Sequence, residues 1–181
     1  MIDFETLALS RQSDRGYDRT RPVEPEKLDK ILRVAMTAPS ACNAQPYKII
    51  VVDEEKLINE VADCTSAKAL GMNHFTKQAP LHLVIVEEPG NLTSSIGSVI
   101  KDKHFPWIDI GIVASYICLA AREEGLGTCI LGWFQEERLK KALGVPKNRR
   151  ILLDITLGYS TQPLREKKRK PFEKVVTKNK Y

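Results

Sequence analysis

"WIDIGIVASYICLAAREEGLGTCILGWF", residues 107–134, decides the fold. Its first part reads as a helix from about Trp107 to Glu124, ended by Gly125, because glycine enters the left-handed conformation at little cost. From Ile110 to Ala121 that helix carries no charged side chain. A helix apolar on nearly all sides is expected to be buried all round, at a domain centre or a subunit interface. The run is too short to cross a bilayer, which takes roughly 20 residues. "TCILGWF", 128–134, reads as a strand or extended segment. Within it, Leu131-Gly132-Trp133 would let backbone N–H groups approach a ligand closely at Gly132, although in isolation a structural role fits better. Gly125-Leu126-Gly127 follows a helix and precedes a strand, the reverse of a dinucleotide-binding turn. It serves as a helix stop and a tight turn.

Working outward, Asp3 to about Leu9 reads as a short helix. "VEPEKLDKILRVAMTA" reads as a second, with Pro25 in its first turn and Leu28, Ile31, Leu32 and Ala35 on one face. "KIIVV" at 48–52 and "LHLVIVEE" at 81–88 are strands, with "EEKLINEVADC" at 54–64 as a helix between them. "QEERLKKALG" at 135–144 is a helix stopped by Gly144, and "RRILLDITLGY" at 149–159 is the last core strand. From Asn91 to Phe105 the signals fit a loop or a short helix. Alternating strands and helices suggest a parallel α/β sheet. Against that, two helices open the chain and no glycine-rich turn follows the first strand.

The chain has 181 residues, 43% of them hydrophobic, enough for one domain with a real core. No signal peptide opens it, so a soluble cytoplasmic protein is expected, with no membrane partner. The net charge is +5. Residues 165–181 hold eight Lys/Arg and two Asp/Glu, a net of +6, which leaves −1 for the other 164. Basicity confined to a tail argues against nucleic acid, which favours a cationic folded face. Cys42, Cys64, Cys118 and Cys129 form no C-x-x-C pair, and His74, His82 and His104 show no ligand spacing, so no metal site is expected.

Two segments carry anion-binding chemistry. Arg11-Gln12-Ser13-Asp14-Arg15 sets two guanidiniums and a hydroxyl just after a helix, and guanidinium forks fit phosphate oxygens. Lys167-Lys168-Arg169-Lys170-Pro171 is a dense basic run. Taken alone, each also fits a solvated charged segment. No serine–histidine–aspartate set, carboxylate pair or P-loop accompanies them. Anion binders without an evident acid, base or nucleophile suit an enzyme whose cofactor does the chemistry, and no catalytic residue is named.

In this order, "SRQSDRGY", "APSACNAQPYKIIVV", "DIGIVASYICLAAREEGLGTCILGWF" and "KKRKP" resemble the FMN-dependent nitroreductase family over nearly the whole chain. The resemblance implies an α+β fold with a mostly antiparallel sheet flanked by helices, in an intertwined homodimer with flavin at the interface. It overrules the parallel sheet. It implies one domain over 1–163 and a basic arm, 164–181, on the partner subunit. Arg11 and Ser13, with Gln12 beside them, would hold the FMN phosphate or ribityl chain, joined by Lys167 and Arg169. Arg15 would lie near N1 and O2 of the flavin. Gly132, flanked by Leu131 and Trp133, would turn its N–H toward N5. Pro39, Ser40, Ala41 and Asn43 would lie along the partner's isoalloxazine ring, with Cys42 among them, and Asn73 would bond the pyrimidine edge. NADH or NADPH would give a hydride, passed in ping-pong fashion to a nitroaromatic, a quinone or a related acceptor. Dehalogenation, flavin breakdown or heterocycle dehydrogenation are the family's other reactions, and a non-catalytic binding role for the tail is the remaining alternative.

Overall fold

A computed structural model describes residues 3–67, 71–90 and 103–181. The expected loop or short helix between Asn91 and Phe105 falls largely outside them. Among the described residues, α1 spans Phe4–Ser10, α2 Pro25–Ala35, α3 Glu55–Thr65, α4 Phe105–Glu123 and α5 Glu136–Leu143. The strands are β1 Tyr47–Val52, β2 Leu81–Glu87, β3 Gly127–Leu131 and β4 Arg150–Gly158.

The strands form one sheet in the order β1-β2-β4-β3, and every pairing is antiparallel. Strand–helix alternation suggested a parallel sheet, but periodicity within an element cannot report the direction of its neighbour. Here β1 and β2 pair from Tyr47↔Glu87 to Val52↔His82.

β2 lies between two neighbours and is buried along nearly its whole length. Its alternation feeds two cores, because successive strand side chains point to opposite faces. Leu81, Leu83 and Ile85 pack with Ile31 and Ala35 of α2 and with Ile110, Val113 and Ile117 of α4. Val84 and Val86 pack with Ile58 and Val61 of α3 and Leu139 of α5. A register shift pairs Ile85 with Leu153 but Val86 with Ile151. The extra residue, Leu152, lets Ile151 join the second core while Leu153 lies against the first. His82 and Asp154, fully buried on β2 and β4, are joined at 2.9 Å from Nδ1 to Oδ2, and the His82 Nε2 faces the Thr76 carbonyl oxygen at 3.2 Å.

Helix ends follow their sequence signals. Asp3 caps α1 by accepting the Thr6 N–H at 3.0 Å. Gly125 and Gly144, at φ 76° and 66°, end α4 and α5. α4 was expected to be buried all round, at a domain centre or a subunit interface, and within one chain only one of its sides is. One side, with Ile110, Val113, Ile117 and Ala121, is sealed in the core. On the other, Trp107 and Ile108 are more than half exposed, with Gly111 and Ser115 following at helical spacing. At 19 residues α4 is long and apolar enough to cross a membrane by length and composition alone. Packing against the sheet and α2 accounts for its apolar buried side.

Candidate functional site

After α1 the chain runs extended beside β3. The Asp14 N–H donates to the Thr128 carbonyl at 2.9 Å, and Ser13 and Tyr17 bridge to Thr128 and Ser160. Asp14 is buried and accepts from Ser160 Oγ at 2.6 Å and Gln12 Nε2 at 2.9 Å. Gly127 makes this approach possible. A Cβ there would stand 2.6 Å from an Asp14 carboxylate oxygen and 2.9 Å from Ser160 Cβ. Its role is therefore close approach as well as the turn expected from sequence.

The C-terminal segment fastens onto the same edge. Gln12 donates to the Pro163 carbonyl at 3.1 Å and accepts the Arg165 N–H at 3.0 Å. Arg165 Nη2 donates to the Ser13 carbonyl at 2.5 Å, and Lys167 Nζ donates to the Arg11 carbonyl. Segments about 150 residues apart thus enclose a cleft of about 600 Å³, lined by Arg11, Gln12, Ser13 and Arg15 on one side and Arg165 to Arg169 on the other.

The electrostatics of this cleft call for an anion. Burial, and then the like charges of Arg11, Arg169, Arg122 and Arg165, hold the Lys167 ammonium below the usual lysine range. Among the described residues, neither the Arg11 nor the Arg15 guanidinium, nor the Ser13 hydroxyl, has a hydrogen-bond partner in the protein. Two planar forks and a hydroxyl with unused donors, beside a lysine crowded by cations, match the donor set a phosphate monoester needs. Gln12 is spent differently. Its amide ties the two segments together.

The remaining sequence-derived residues lie elsewhere in the chain. Leu131 is buried with Tyr17, Phe75 and Cys129. Gly132, just past β3, faces open space, and a Cβ there would meet no atom of the described residues within 4 Å apart from its chain neighbours. It borders a second cleft of about 450 Å³ with Trp107, Phe134 and the Glu136–Arg150 pair. Trp133 is 43% exposed beside it. Pro39, Ser40, Ala41 and Asn43 sit in the loop before β1, outside the basic cleft. Asn73, left-handed at φ 57°, donates its amide to the Thr65 carbonyl at 3.0 Å and precedes a short 3-10 turn.

Some contributors were not singled out from sequence. Arg165 precedes the basic run that drew attention. Arg122, which donates to Ser10 Oγ at 3.1 Å, reads simply as a basic residue in the last turn of α4. Burial pushes the Cys64, Cys118 and Cys129 thiols up. Among the described residues no cluster of three metal-ligating side chains occurs.

The chain thus combines an antiparallel sheet, a cationic cleft and an open glycine past a neighbouring strand. The sequence pattern of the Nitroreductase family matches residues 8–159, and the chain belongs to that family. Among its relatives, a Thermus thermophilus protein named NADH dehydrogenase is 28% identical, the alignment covering 97% of this chain and 96% of that one. A Thermotoga neapolitana protein named iodotyrosine deiodinase is 26% identical, over 87% and 88% of the two chains. Among solved structures, an FMN-dependent nitroreductase from Clostridium difficile R20291 aligns with a TM-score of 0.78 and 31% identity, over 97% and 98%. A nitroreductase family protein from Clostridium novyi NT aligns at 0.76 and 31%, over 88% and 86%.

Proposed function

We propose that the protein is an FMN-dependent oxidoreductase that takes a hydride from NADH or NADPH and passes it to a nitroaromatic, quinone or related acceptor. The observation that carries this reading is the cleft between residues 11–15 and 165–169, with its crowded Lys167 and unpaired Arg11, Arg15 and Ser13 donors. The structural relative described as an FMN-dependent nitroreductase supports it at 31% identity.

Bound FMN would supply a two-electron carrier that accepts a hydride at N5. Arg11, Ser13, Lys167 and Arg169 would hold its phosphate. Arg15 would set positive charge near the pyrimidine edge, favouring an anionic reduced ring. Gly132 would offer its backbone N–H where no side chain intrudes. No side chain is assigned as acid or base.

The protein works as a homodimer in this reading. The half-exposed side of α4 with Trp107 and Ile108 would be covered by the second copy. Residues 39–43 would lie against the ring held by the partner. The arm 164–181, exposed apart from a half-buried Lys167 and bearing Phe172, Val175 and Val176, would pack on the other subunit.

Steady-state kinetics test the reading. Varying NAD(P)H at several fixed quinone concentrations should give parallel double-reciprocal lines, the mark of alternate occupation of one site. Intersecting lines would refute the shared site. Running the same assay with iodotyrosine distinguishes the reaction named for the Thermotoga neapolitana relative, since iodide release would place the chain there.

A further inference from the structure

The loop between α2 and β1 is strained. Cys42, Asn43 and Gln45 have φ values of 52°, 50° and 47°, a region that residues with a Cβ enter at a cost. Such strain persists only where the surroundings over-determine the backbone. Two ties are internal. The Gln45 N–H donates to Ser40 Oγ at 3.0 Å, and the Gln45 side-chain amide donates to both oxygens of Asn43 at 3.1 Å. A third reaches α4. The Ala41 N–H donates to Asp109 Oδ1 at 3.1 Å.

Asp109 is out of character for its position. It is 4% exposed, one turn into a helix whose next twelve residues carry no charge. Among the described residues its other oxygen, Oδ2, is buried without a hydrogen-bond partner, and so is the Tyr47 hydroxyl at the end of the same loop. Burial, and after it the negative charge of Asp109, push the Tyr47 phenol up. A buried carboxylate with an unpaired oxygen is costly, and an alanine or leucine would fill the helix without that cost. The only protein donor it meets is the Ala41 N–H, among the described residues.

We propose that Asp109 is a positioning residue, whose buried carboxylate fixes Ala41 and so holds the Ser40–Gln45 loop in the strained form that lies against the isoalloxazine ring of the partner subunit. The inference rests on the flavin reading given above. It assigns to an acidic residue of the long helix a role that none of the cofactor-facing residues named above performs.

The test uses Asp109→Ala, Asp109→Asn and Ala41→Pro in the full chain. Asparagine keeps an acceptor oxygen. Proline removes the donor, and the extended Ser40 before a helical first position tolerates it. Asp109→Ala and Ala41→Pro should each weaken FMN binding about tenfold, the loss of one hydrogen bond to a charged group. Both should speed amide hydrogen exchange within residues 40–45 while leaving β2 and β4 protected. Asp109→Asn should restore both properties to within about threefold of wild type. Tyr47→Phe, which leaves the tie intact, should bind FMN as wild type does.

Wild-type affinity and exchange in both tie-breaking variants would overturn the proposal. So would exchange that rises evenly across the sheet, which marks a purely structural role, or a Tyr47→Phe loss equal to that of Asp109→Ala. Should Asp109→Ala not fold, Ala41→Pro carries the test. A wild-type chain that binds no FMN refutes the flavin reading instead, and loop exchange still decides whether Asp109 holds the loop.

Discussion

Arg11→Ala should weaken cofactor binding without lowering the stability of the flavin-free protein. Among the described residues the Arg11 guanidinium makes no hydrogen bond, whereas its backbone carbonyl accepts from Lys167. Truncation therefore removes a charge and leaves the Lys167 tie intact. Without FMN, one of the like charges that depress Lys167 is gone, so thermal stability should stay level or rise, by up to about 1 kcal/mol at this exposure. With FMN, a charge-assisted bond to phosphate is lost, worth about 1.5–3 kcal/mol. Kd should rise about 10- to 150-fold. Fluorescence titration with FMN and with riboflavin isolates the phosphate. Wild type should prefer FMN strongly, and Arg11→Ala should lose most of that preference while binding riboflavin unchanged. A fall in apo stability of several degrees, or an equal loss for riboflavin, would refute the claim that Arg11 serves an anion and not the fold.

Three further outcomes follow from the same geometry. Gly132→Ala meets no atom of the described residues within 4 Å apart from its chain neighbours, so a urea melt should shift by less than about 0.5 kcal/mol, yet FMN affinity should drop; unchanged affinity would remove Gly132 from the site. Asp154→Ala leaves the buried His82 Nδ1 without its hydrogen-bond partner and should cost about 1–3 kcal/mol in denaturant unfolding; a loss below about 0.5 kcal/mol would show that the pair is dispensable. The Lys167 pKa is lowered in the fold, so its charge destabilises the flavin-free protein at neutral pH. That penalty is fully present below the folded pKa and disappears as pH rises toward the ordinary 10.5. Flavin-free stability, corrected by a Lys167→Met control, should therefore gain over that alkaline window while FMN affinity falls, and a flat pH profile would contradict the crowding.

Much of the fold was legible because each element carries its own punctuation. Pro25 starts α2, Gly125 and Gly144 end α4 and α5, and β2 reads as an apolar run broken only by His82 before Glu87 because both its faces are covered. Strand direction was not legible from periodicity; the antiparallel expectation came from the family resemblance. The bulge at Leu152, which turns Ile151 to the opposite face from Leu153, leaves no mark in the sequence. The basic cleft was legible since both of its walls are locally dense in cations. Arg165 and Arg122 were missed because their neighbours supply ordinary reasons for a basic residue. Asp109 had a signal of its own, a lone carboxylate in an apolar helix. Its tie to Ala41, however, depends on a loop conformation that residue types alone do not disclose. The half-open α4 shows the limit of a one-chain reading, since an apolar surface registers as burial in sequence whether a core or a second subunit covers it.

The central claim is that the two basic segments jointly hold one FMN per chain. The direct measurement is the flavin released on denaturing the purified protein after saturation with FMN and removal of the excess, quantified against protein concentration and identified by chromatography. One equivalent of FMN per chain is the result expected. A protein that retains no flavin, or fully saturates with riboflavin as tightly as with FMN, would contradict it.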